Sequence, residues 1–161
     1  MGCTRDTKYE GSIEKKIKII EIFCTFPSVE KIKLFRLIIF NYLVGNEDMH
    51  LKNFSLITRN NITELSPSYD LINTTIVLDA KEELALPLNG KKNTFKKSDF
   101  FEYLAINKLG LTNVSIDLVI SNFITAFSLW EDFISRSFLS EQKKTEYKDL
   151  ISKRKKLLDL F

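Results

Sequence analysis

The sequence predicts a mainly helical α+β domain with one short β-hairpin, and three observations carry that prediction. Apolar residues recur at helical spacing over most of the chain. One stretch, Phe54-Ser55-Leu56-Ile57-Thr58, alternates like a strand, and Asn60-Asn61 marks a tight turn before Ile62-Thr63-Glu64-Leu65. The 161 residues are 44% hydrophobic, with 13 Phe against 5 Gly and 3 Pro, a balance that suits one sizeable core in a single domain and argues against disorder.

The elements follow in order. Ser12 is placed to cap a helix running to Phe26, with Ile13, Ile17, Ile20 and Cys24 on one face and Pro27 as its stop. Val29 to Val44 reads as a second helix whose broad apolar face is Ile32, Phe35, Leu37, Ile38, Ile39, Tyr42 and Leu43, terminated by Gly45. After the hairpin, Ser98-Asp99 starts a helix to Lys108 that turns Phe100, Phe101, Tyr103, Leu104 and Leu109 inward, and Gly110 ends it. Asn113 to Phe138 forms a longer helix with Val114, Leu118, Phe123, Ile124, Phe127, Leu129, Trp130 and Phe133 as expected core. Ser140 to Phe161 is basic and amphipathic. Such a helix can meet a membrane surface or a partner, but more often docks its apolar face, here Tyr147, Leu150, Ile151, Leu157 and Leu158, on its own domain.

Charge and cysteine usage narrow the function classes. A net charge of +3 with interspersed acids and bases does not imply a polyanion surface, so no direct nucleic-acid binding is expected. No apolar run is read as a membrane span, and the amino terminus carries no secretory signal. Met1-Gly2-Cys3 has Asp6 where an acylation signal needs Ser or Thr. Cys3 and Cys24 lie far from the lone His50 without zinc-ligand spacing, and unpaired cysteines suit a reducing cytoplasm.

The chemistry is concentrated in Asn46-Glu47-Asp48-Met49-His50-Leu51-Lys52-Asn53. Asp48 and Asn53 have the D-x-x-x-x-N spacing with which a phosphoryl-transfer loop aims a substrate hydroxyl and holds magnesium. A base and a metal ligand must converge on one phosphoryl group, which calls for an irregular loop braced by rigid flanks. Asp70, in Pro67-Ser68-Tyr69-Asp70-Leu71, is the candidate downstream ligand. Each residue also has a structural reading. Asp48 can cap a turn, Asn53 can bond the loop backbone, and Asp70 can cap a helix starting near Leu71. His50 can supply a proton, although support of the loop is the commoner role for such a residue. Lys52 can approach phosphate charge or stay solvated. Lys91 and Lys92, in Asn89-Gly90-Lys91-Lys92-Asn93, can steer an acidic substrate or ATP, or simply decorate a turn.

Gly45-Asn46-Glu47-Asp48-Met49-His50-Leu51-Lys52-Asn53-Phe54-Ser55 and Leu65-Ser66-Pro67-Ser68-Tyr69-Asp70-Leu71 closely resemble the C-terminal lobe of the HipA-type serine/threonine kinases, toxins of bacterial toxin–antitoxin systems. Lys8-Tyr9-Glu10 looks like the opening of that lobe, and Leu84-Ala85-Leu86-Pro87-Leu88-Asn89-Gly90-Lys91-Lys92 like its stretch after the metal-binding Asp, so the resemblance covers nearly the whole chain. No His-Arg precedes Asp48, and Tyr69-Asp70-Leu71 stands where Asp-Phe-Gly would be. Both departures are normal for the HipA type.

The resemblance implies a kinase C-lobe spanning 1–161, with Asp48 as catalytic base and His50 and Lys52 as further members of the catalytic loop. It implies Asn53 and Asp70 as magnesium ligands and Lys52, Asn53 and Asp70 as the ATP/Mg2+-binding set. The implied partners are a protein substrate, of which an aminoacyl-tRNA synthetase is one class, and an antitoxin. No Gly-rich turn and no strand-borne Lys precede Asp48, so the N-terminal nucleotide lobe is expected to be absent from this chain and supplied separately. The alternative is a non-catalytic half-kinase that binds an antitoxin or a separate lobe. A lipid or small-molecule kinase is a third reading, since D-x-H-x-x-N loops also occur in phosphoinositide kinases.

Overall fold

The computed structural model describes residues 11–78 and 82–161. Lys8-Tyr9-Glu10 and the Met1-Gly2-Cys3 start lie outside the described residues. Helix α1 (Ile13–Phe23) begins as its sequence demands, with the Ser12 hydroxyl accepting the Lys15 N–H at 3.3 Å and Ile13, Ile17 and Ile20 buried. It ends before Phe26, because Cys24 is already extended. Pro27 opens α2 (Pro27–Val44) instead of merely stopping α1, since its missing N–H and fixed φ suit the first helical turn.

Helix α2 is the centre of the molecule. Leu34, Phe35, Ile39 and Leu43 are fully buried along it, and Phe100 and Phe95 pack around Tyr42 with ring centroids 4.7 and 6.2 Å away. Gly45 closes α2 at φ 76°, donating its N–H to the carbonyls of Asn41 and Tyr42. The hairpin pairs β1 (Leu56–Arg59) with β2 (Ile62–Leu65), Leu56 opposite Leu65. Asn60 and Asn61 both take positive φ, 50° and 62°, as a two-residue hairpin turn requires. Strand β1 starts later than the alternation predicts because Leu51–Asn53 wind into a 3-10 turn. The hairpin hangs from the α1–α2 junction: Thr25 exchanges bonds with Thr63, and the Glu30 carboxylate accepts the Leu65 N–H at 2.8 Å.

A short helix, α3 (Thr75–Leu78), follows the Asp70 segment. The predicted helix over Asp99–Lys108 is present but π-wound, with Phe100, Leu104 and Leu109 buried and Phe101 and Tyr103 half-buried. Among the described residues, Ser98 makes no side-chain cap bond there. Asp99 instead accepts the Lys96 N–H, the Asn89 amide and the Lys91 ammonium. Lys91 is thereby committed to Asp99, and Lys92 pairs with Glu82, so both stitch their own loop together.

Helix α4 (Asn113–Arg136) corrects the expected core. It buries Ile116, Val119, Phe123, Phe127 and Ile134, while Val114, Leu118, Ile124, Leu129 and Phe133 are exposed. The helix is apolar on more than one face, and only its contacts with α2 and α5 select which face turns inward. Its length and composition also suffice to cross a membrane, contrary to the reading of the sequence, but here one face packs on the protein core. Helix α5 (Glu141–Leu158), capped by Ser140, packs on α2, α3 and α4 and buries Ile151, Leu158 and, unexpectedly, Arg154.

Candidate active site

The loop after α2 is built from its own polar residues. Asn46, fully buried, donates to the Asn41 side chain at 2.8 Å and to the Asp70 carbonyl at 3.1 Å, while its Oδ1 accepts the Asp48 N–H at 3.3 Å. One amide thus ties the end of α2, the Asp48 backbone and the Asp70 segment together. Glu47 donates its N–H to the Thr74 hydroxyl at 2.8 Å, and its carboxylate accepts from Thr75 and from Arg154 at 3.0 Å. Burial pushes the Glu47 carboxyl above the usual carboxylate range, against the pull of Thr75 and Arg154.

Asn53 brings the two candidate regions together. Its Nδ2 lies 2.9 Å from Asp70 Oδ2 and 3.4 Å from the Asp48 carbonyl. Asp70 sits at φ 56°, a left-handed conformation that costs a non-glycine residue about 1 kcal/mol or more and is tolerated best by Asp and Asn. It is held there through its carbonyl by Asn46 and through its carboxylate by Asn53. The Tyr69 hydroxyl donates to the Lys52 carbonyl at 2.7 Å, clasping the same two segments from outside.

The candidate residues therefore fall into two groups. Asn53 meets the Asp70 carboxylate and the Asp48 main-chain carbonyl, and the buried His50 places Nε2 3.9 Å from Asp48 Oδ2, within electrostatic reach. Lys52 is exposed at the rim and contributes its carbonyl to the Tyr69 clasp. Asp70 does not cap a helix, since α3 begins at Thr75 and its Ile76 N–H is taken by Asn73.

The donor set suits magnesium. A carboxylate and an amide, both able to present oxygen, are what this hard cation uses when substrate phosphates and water complete its octahedron. Turning the Asn53 amide over would present Oδ1 where Nδ2 now faces Asp70. Among the described residues, no group of three or more His, Cys, Asp or Glu gathers into an all-protein metal cage. A cavity of about 450 Å³ lies beside the hairpin. It is lined by Asn53, Arg36, Phe40, Leu65 and Phe123, but by neither Asp48 nor Asp70.

Sequence reading missed Asn46, Glu47, Thr74, Thr75 and Arg154. Asn73-Thr74-Thr75 carried a legible signal, as short hydroxyl and amide side chains beside a helix start favour backbone bonding. Arg154 carried none, standing in the run Lys153-Arg154-Lys155-Lys156.

The family model of the HipA-like C-terminal domain matches residues 1–130. The chain belongs to that family. Among curated relatives of this HipA-like domain, a Haemophilus influenzae protein named "Putative kinase" is 33% identical over 129 residues, covering 68% of this chain and 36% of its own length. The serine/threonine-protein kinase toxin HipA of Shewanella oneidensis is 27% identical over 123 residues, covering 75% of this chain and 28% of its own. A chain of the solved Shewanella oneidensis MR-1 complex of HipA, HipB and operator DNA superposes with a TM-score of 0.71 at 24% identity, covering 99% of this chain and 39% of that one. The mostly helical fold with its two-stranded sheet is therefore that of a HipA-like domain. The chain spans between 22% and 36% of the length of the curated relatives it matches.

Proposed function

We propose that this chain is the C-terminal lobe of an ATP- and magnesium-dependent serine/threonine kinase of the HipA type. The observation that carries the proposal is the convergence of Asn53 on Asp70 at 2.9 Å beside the Asp48 backbone, in a loop braced by the end of α2. In this reading Asp48 accepts the proton of the substrate hydroxyl, and the buried His50 holds its carboxylate in place. Asn53 and Asp70 would hold magnesium, which when bound neutralises phosphate charge. Lys52 adds positive charge at the rim.

A nucleotide-binding lobe outside these 161 residues supplies the second wall of the ATP cleft, so the chain by itself is expected to show no appreciable kinase activity. The name of one relative, a serine/threonine-protein kinase toxin, supports a protein hydroxyl as substrate; the cytoplasmic setting and an aminoacyl-tRNA synthetase as the candidate substrate class come from the sequence resemblance alone. The toxin–antitoxin complex of HipA with HipB, to which this fold is similar, supports an antitoxin partner.

The test is Asp48→Asn in a protein that joins this lobe to its nucleotide lobe. Phosphoryl transfer should fall at least about a hundredfold while the melting temperature barely moves. An active variant refutes the assignment. A large loss of stability with no separate effect on rate would instead assign Asp48 to capping the loop.

A further inference from the structure

We propose that Arg154 on α5 is a positioning residue for the candidate catalytic loop, acting through Glu47 and the end of α2. The inference rests on the kinase reading for its effect on rate, but not for its effect on the loop. Helix α5 lies beyond the residues matched by the family model, and its sequence favoured docking an apolar face over meeting a membrane surface or a partner. Instead, Arg154 is 4% exposed and uses both arms of its guanidinium. One nitrogen donates to the Tyr42 carbonyl in the last turn of α2, and the other lies 3.0 Å from Glu47 Oε1, with the plane 4.8 Å from the Tyr42 ring.

Glu47 is the residue before Asp48, and what it holds explains why its partner matters. Its N–H bonds Thr74, its carboxylate bonds Thr75, and the N–H groups of Thr74 and Thr75 reach the Gly45 carbonyl at 2.9 and 3.1 Å. The segment leaving Asp70 is therefore stitched to the segment leading into Asp48, with Arg154 behind the stitch. Other α5 residues press on the same place: Lys143 donates to the Ile76 carbonyl at 2.6 Å, and Leu150 stands over Gly45 so closely that a Cβ there would meet it at 2.7 Å.

Two features favour positioning over mere stability. A buried ion pair is often no more stabilising than apolar residues of the same volume, whereas a planar two-armed donor fixes two acceptors at a set separation. Glu47 Oε2 is buried and accepts no hydrogen bond among the described residues, so its carboxylate depends on Arg154 for a counter-charge. Without it, that carboxylate must take up a proton or turn out of the core, and either releases the stitch that spaces Asp48 from Asp70.

The test compares Arg154→Met, Arg154→Lys and Glu47→Gln with the parent in the full-length protein, reading amide hydrogen exchange and steady-state phosphorylation. In Arg154→Met the Glu47, Thr74 and Thr75 amides should exchange about tenfold faster, while the core amides of Ile38 and Ile39 change far less. Its kcat should fall by about tenfold with the KM for ATP nearly constant. Arg154→Lys should recover part of both effects, because an ammonium can reach Glu47 or the Tyr42 carbonyl but not grip both. Glu47→Gln keeps the fold by retaining one bond to Arg154, and should loosen the same three amides to a smaller degree.

Equal protection of those amides in Arg154→Met and Glu47→Gln overturns the proposal, and so does a uniform rise across all amides, which would make Arg154 a general stabiliser. Full activity of Asp48→Asn would remove the kinase reading alone, leaving the exchange pattern to decide the role of Arg154.

Discussion

Replacing Gly45 by Ala tests the joint between α2, the loop and α5 in one step. Gly45 sits at φ 76°, and an added Cβ would stand 2.7 Å from Leu150 Cδ2, 2.7 Å from the Thr75 hydroxyl and 3.0 Å from Asn73 Oδ1. The left-handed backbone alone costs an alanine about 1–2 kcal/mol. Forcing a methyl into a filled site adds about 1–3 kcal/mol, because Leu150 and Thr75 are anchored and cannot both withdraw. Gly90 is the internal control: it has φ 71° but, among the described residues, nothing within 4 Å of its added Cβ, so Gly90→Ala carries the backbone cost without the crowding.

Urea unfolding followed by the single Trp, Trp130, and by far-UV circular dichroism should place Gly45→Ala below Gly90→Ala by about 1–3 kcal/mol. For a domain of this size the total loss at Gly45 lowers the melting temperature by roughly 5–15 °C. Coincident transitions would confirm that one free energy describes the change. Equal losses at the two glycines would refute the close approach of Leu150 and Thr75 to the loop, and with it the seating of α5 that places Arg154 behind Glu47.

Three further outcomes are expected. Magnesium with a non-hydrolysable ATP analogue should shift the NMR signals of Asn53 and Asp70, weakly in the isolated chain and more strongly with a nucleotide lobe present; shifts confined to other residues would exclude the proposed ligands. Lys16 is buried with its ammonium 2.7 Å from the Phe54 ring centroid, and burial pushes its pKa well below the ordinary lysine range. The unfolded chain then binds the extra proton, so stability should rise with pH up to the ordinary lysine value, and Lys16→Met should be more stable at neutral pH and lack that rise in urea titrations. For Asp99, burial pushes the carboxyl up but the bonds from Lys91, Lys96 and Asn89 overcome it, leaving the pKa lowered from 3.8. Its contribution is therefore complete above that value and lost as pH falls through the folded pKa. Asp99→Asn should destabilise by about 2 kcal/mol at pH 7, with the deficit shrinking in acid.

Where the sequence was read correctly, the determinant lies within a few residues of what it determines. Ser12 and Ser140 cap their helices through an N–H three residues on, Gly45 terminates α2 in the conformation that glycine favours, and Asn60-Asn61 turns the hairpin. The Ile13, Ile17 and Ile20 face of α1 was legible from its helical spacing, although Ile19, Ile22 and Phe23 on the same helix stay exposed. Where two choices existed, the reading failed. Apolar residues surround α4, and its buried face was assigned from helical spacing when packing against α2 and α5 decides it.

By itself the sequence determined the fold class, the family and the string that holds Asp48, His50, Lys52 and Asn53 in one loop, because their spacing is short and the loop has rigid neighbours. Only the tertiary structure decided that Asp70 meets Asn53 in a left-handed turn, that Lys91 belongs to Asp99, and that Arg154 lies behind Glu47. Those pairs are separated by 17, 8 and 107 positions. Over such separations a charged residue in a lysine-rich helix has no local mark of its partner, and burial beside a carboxylate is conferred by the packing of α5 on α2 rather than by any neighbour in the chain.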